Sequence, residues 1–193
     1  MKRLLAIIFL ALVLFGAYWF FFKKDTHPSE PKQEAIKIKK HSEEFNQSVT
    51  NAINEYLNMK NAFADADTIK IKGQSQKFIS SVDSIKLDDL KKDDSVVITS
   101  AQQQVSDIKA NAQDILQQKD ITEMREDFRM VSENLYPFLK TISYEGPKLY
   151  WQTCSMAFGE DKEGSWLNDT SNMINPYLGK NHTDCSEIKD SLQ

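Results

Sequence analysis

The chain has two cysteines, and each stands in a short string with another soft donor. In KLYWQTCSM, Cys154 and Met156 are two apart, so an extended backbone would turn both side chains to one face. His182 and Cys185 are three apart, which would place them on one face of a helical turn. Together the two pairs offer two thiolates, a thioether and an imidazole. That set selects a soft cation such as Cu(I): thiolate and thioether favour it, imidazole accepts it, and Met is a poor ligand for Mg²⁺ or Ca²⁺. Zinc would take the Cys and His but not the thioether. Met173, in SNMIN, is a further thioether but reads better as a core side chain.

The same cysteines can instead pair with each other. In an oxidising compartment a bridge closing a loop of about thirty residues stabilises a fold by about 3 to 4 kcal/mol in the entropy model. Met156 would then be core and His182 a surface residue, with separate inert thiols as a third possibility. Spacing alone leans towards the bridge. Catalysis fits poorly, because Cys154 would have only His182 as a base in this region, and no oxyanion-type Gly loop or nucleophile elbow lies nearby. No enzyme is expected.

Four amphipathic segments must position these residues. Phe45, Val49, Ala52, Ile53, Tyr56 and Phe63 mark a first helix from Ser42. Asp65 or Asp67 caps a second through Ile71, Phe78, Val82 and Ile85, somewhat weakened by Gly73. KLDDLKKDDS reads as a charged connection, and Asp94 or Ser95 caps a third helix running from Ile98 to Leu116. A fourth carries Ile121, Met124, Phe128, Val131, Leu135, Phe138 and Leu139, with Pro137 expected to kink it or end its regular part. The pattern predicts a mainly α protein, an antiparallel four-helix bundle with apolar stripes facing inward. From about residue 144 the composition shifts to Gly, Pro and Trp, which predicts a small loop-rich cap with short strands. KLYWQT is one such strand, and Trp151, Phe158, Trp166 and Tyr177 are the anchors of the cap.

Ahead of the body, residues 4–22 carry no charge and are long enough to span most of a hydrocarbon core of roughly 30 Å, with aromatics and Lys23 and Lys24 at the far end. A single-pass inner-membrane anchor (or uncleaved signal) over 1–24 is expected, with a cleavable signal peptide as its rival. Residues 25–41 read as a solvated linker and 42–193 as the bundle with its cap. Lysines after the span outnumber the basic residues before it, which favours a cytoplasmic body; long domains nevertheless translocate largely regardless of charge. A net charge of −4 with Lys interleaved among Asp and Glu argues against nucleic acid as a partner.

EYLNMKNAFADAD, REDFRMVSENL and LYWQTCSMAF…GSWLN…INPYLGKNHTDC together resemble the bacterial domain-of-unknown-function family 3347, in order over about residues 45 to 190. The resemblance implies an extracytoplasmic helical domain, so the body is placed in the periplasm. It also implies copper handling, since the family's domain is found fused to periplasmic adaptors of heavy-metal efflux pumps. Cys154, Ser155, Met156 and Ala157 align with the family's Cys-Pro-Met-Ala string, with Ser155 as a departure. Residues 182–186 match its Met-x-x-Cys-Gly string, with His182 and Ser186 as departures. His keeps a donor, whereas Ser would be strained if the Gly takes a positive φ. With the resemblance added, a periplasmic Cu(I)-type site of Cys154, Met156, His182 and Cys185 moves ahead of the bridge. Its expected role is sequestration or transfer to an efflux partner.

Overall fold

The computed structural model describes residues 38–159 and 162–192, together with Phe15 and Tyr18. The chain divides into two compact units, Met1–Ala35 and Ile36–Gln193. Apart from Phe15 and Tyr18, the expected membrane span at 4–22 lies outside the described residues. Among the described residues no helix is long and apolar enough to cross a membrane.

In the second unit four helices form where the periodicity predicts them: α1 (Glu43–Ala64), α2 (Thr68–Asp83), α3 (Ser95–Gln117) and α4 (Ile121–Thr141). Each starts on a side-chain acceptor that takes one of the free N–H groups of its first turn. Ser42 accepts from Phe45, Asp67 from Lys70, Asp94 from Val96 and Asp120 from Thr122. The helix α4 runs on through Pro137 to Thr141. The charged connection is itself ordered as a 3₁₀ helix (Leu87–Lys92), because Leu90 is fully buried and pins it to the bundle.

The cap is a three-stranded antiparallel sheet of order β2-β1-β3, from β1 (Leu149–Cys154), β2 (Gly164–Asn168) and β3 (Ser186–Leu192). Bundle and sheet share one core. At its centre Tyr56 stacks on Phe128 at 5.5 Å, and Phe128 meets Tyr177 at 5.8 Å, which in turn packs edge-on to Trp166 at 5.9 Å. The Tyr56 hydroxyl bonds Ser132 at 2.7 Å and accepts the backbone N–H of Leu167 at 3.1 Å. The Tyr177 hydroxyl donates to the Ser165 carbonyl at 2.6 Å. Two tyrosines thus occupy backbone groups of β2 that β1 does not use. Trp166 and Tyr177 are sealed anchors, while Trp151 and Phe158 are half-buried; Trp151 stacks on Tyr136 at 4.4 Å.

Gly164 is where this packing demands an absent side chain. A Cβ there would lie 2.6 Å from Ala157 and 2.7 Å from the Tyr177 ring. The residue faces Cys154 across the β1–β2 ladder, so the close approach sits beside the sulfur site.

Candidate functional site

Antiparallel pairing sets the last residue of β1, Cys154, opposite Ser186, the first of β3, and so brings Cys185 alongside. The Cα atoms of Cys154 and Cys185 are 4.8 Å apart, within disulfide reach, and their sulfurs are bonded. Neither thiol is free. The bridge closes a 31-residue separation that contains all of β2 and the Asn-Pro-Tyr turn, and it ties the terminal strand to the sheet.

The two sulfurs sit in different surroundings. Cys154 is fully buried, whereas Cys185 is half-buried. The Asn175 amide nitrogen lies 3.5 Å from the Cys185 sulfur, and the Ser186 hydroxyl oxygen 4.0 Å from it. Asn175 also orders the turn before the bridge, its side-chain oxygen accepting from the N–H groups of Tyr177 and Leu178. The Asn-Pro dipeptide signals that turn in the sequence; nothing there ties Asn175 to the sulfur.

This asymmetry governs the chemistry of the bridge. A reducing thiolate can reach the Cys185 sulfur, but attack there expels Cys154 as a thiolate into a site closed to water, and a buried thiolate is a poor leaving group. Attack on the Cys154 sulfur would give the better leaving group, with two polar neighbours, but that sulfur is covered. The native fold therefore resists reduction from either side.

With the cysteines bridged, His182 is the surface residue that reading expected, whereas Met156 is not the core side chain it predicted. The strand β1 ends at Cys154, so Met156 falls in the following turn, where its carbonyl accepts from Gly159; the residue is 51% exposed. His182 is exposed on an irregular segment whose backbone N–H bonds the Gly179 carbonyl. It helps line a shallow pocket of about 320 Å³ with Asp65 and Lys180 at the C-terminal end of α1. Asp65 is held below the usual carboxylate range, chiefly by the hydrogen bond from Lys70. Among the described residues no three His, Cys, Asp or Glu side chains are grouped to hold a metal ion. With the sulfurs bonded, neither cysteine offers a thiolate, so the four-residue donor set can exist only in the reduced chain.

Residues 52–145 match a protein family described as a protein of unknown function (DUF3347). The chain resembles the DUF3347 family. The DUF3347 match begins within α1, covers α2 and α3, and ends just beyond α4; Cys154, Met156, His182 and Cys185 all lie past it. No curated protein and no solved structure matches the chain.

Proposed function

We propose that this chain is an extracytoplasmic helical module that works as a structural or partner-binding element and catalyses no reaction. In this reading Cys154–Cys185 is a permanent structural bridge and residues 4–22 anchor the module to the inner membrane. The supporting observation is the bridge itself, with its inner sulfur sealed and its outer sulfur half-buried. Disulfides persist in oxidising compartments, which favours a periplasmic body. The test is thiol titration of the native chain under mild reductant, paired with Cu(I) titration against a competing chelator. No titratable thiol, and Cu(I) binding no tighter than in the Cys154→Ser, Cys185→Ser double variant, is the expected result. Tight one-to-one binding lost in Met156→Leu and in His182→Ala would reject it.

A second reading is favoured by the 4.8 Å Cα separation. Once reduced, Cys154 and Cys185 would already be adjacent, and two thiolates with the Met156 thioether and the His182 imidazole form a donor set for a soft cation. In that state the protein would sequester Cu(I) or pass it by ligand exchange to a heavy-metal efflux partner.

A further inference from the structure

The helical body is entered through a buried histidine. His41 directly precedes the Ser42 cap of α1, and its side chain is fully buried. Its Nδ1 lies 3.3 Å from Asp89 Oδ2 on the 3₁₀ helix, and its Nε2 lies 2.6 Å from the carbonyl oxygen of Ile142 at the end of α4. Both partners are acceptors. A neutral imidazole carries one N–H and must turn a lone pair towards one of them, so both contacts are hydrogen bonds only when the ring holds two protons. The open carbonyls at a helix C-terminus also favour a cation there.

The surrounding groups fasten one short segment. Asp89 Oδ2 also accepts from the Ser42 N–H at 3.2 Å and from Lys92 Nζ at 2.8 Å. Although its partial burial acts to raise it, the Lys92 and Ser42 hydrogen bonds hold the Asp89 carboxyl at about 2, so it stays ionised throughout the range in which imidazole titrates. Asp93 accepts the Lys39 N–H at 2.8 Å, Lys92 Nζ donates to the Lys40 carbonyl at 2.6 Å, and Lys39 Nζ donates to the Lys92 carbonyl. On the α1 side the His41 ring packs against the uncharged Phe45 at 4.6 Å. Beyond Ile142, the nearby Glu145 carboxylate accepts from Asn46. The charges facing the clasp are therefore Asp89, Lys92, Asp93 and Lys39.

We infer that His41 is a proton-operated clamp that fastens residues 39–42 to the 3₁₀ helix and the end of α4 when its ring carries both protons, and loosens them when one is lost.

Hydrogen exchange on the full chain in detergent tests this, after correction for intrinsic rates. From about pH 5.5 to about pH 8, protection of the Lys39 and Ser42 amides should fall about two- to tenfold, the factor carried by one hydrogen bond. In His41→Gln it should be flat. Nitrogen NMR of the wild-type ring should show both nitrogens bearing hydrogen at the acid end, a readout that does not depend on any variant folding. Constant wild-type protection, an equal fall in His41→Gln, or a ring nitrogen lacking hydrogen in acid would each overturn the inference.

Discussion

The Lys60 ammonium ends 2.6 Å from the Asn168 side-chain oxygen, joining α1 to the last residue of β2 with only 1% of the lysine exposed. Burial pushes Lys60 down to about 8, with Asp169 opposing. Because the folded value lies below the ordinary value of 10.5, the unfolded chain binds more protons between them, and stability rises with pH through that window. In urea unfolding, wild type should gain roughly 1 to 3 kcal/mol over Lys60→Met between about pH 8 and pH 10. Equal pH slopes for the two proteins would refute this.

Removing the Tyr56 hydroxyl in Tyr56→Phe keeps the ring stack on Phe128 but strands the buried Leu167 N–H. We expect a loss of about 1 to 3 kcal/mol. A loss below about 0.5 kcal/mol in urea melts would mean that N–H finds another partner.

The Cys154→Ala, Cys185→Ala double variant should be about 3 to 4 kcal/mol less stable by denaturant unfolding. In wild type, reduction by a dithiol should proceed only as fast as the protein unfolds. A reduction rate that climbs in proportion to reductant concentration under native conditions would contradict the burial argument for Cys154.

Acid should free the terminal strand. Asp190 is held at about 2, first by the hydrogen bond from Lys140 and then by that from Tyr136. A depressed carboxylate stabilises above its unfolded value and stops doing so as pH falls through its folded one, so the effect disappears between about pH 4 and pH 2. The pair is largely exposed, which keeps it within about 1 kcal/mol. Exchange of the β3 amides should quicken across that window in wild type and not in Asp190→Asn.

The helices were legible because Phe45, Val49, Tyr56, Phe128 and Leu135 repeat at the period that faces a core, and because Asp67 and Asp94 stand at cap positions. Lys60 was missed although it falls on the same stripe, four after Tyr56 and three before Phe63. A lysine on an apolar face reads as an error until its acceptor is known, and Asn168 is 108 residues away. β3 gave no signal because it is an edge strand: Glu187 and Lys189 face water, so no apolar alternation marks them. KLYWQT did mark β1, but where that strand stops decided the fate of Met156, and spacing does not carry strand ends. Neither could spacing tell bonded sulfurs from a metal pair, since both need the same close approach.

A sheet that grows by adding copies needs two open margins. Here the phenols of Tyr56 and Tyr177 hold β2 shut, so only the β3 side could accept a strand from another molecule. Strand-mediated association would then stop at a pair and could not propagate into a fibre.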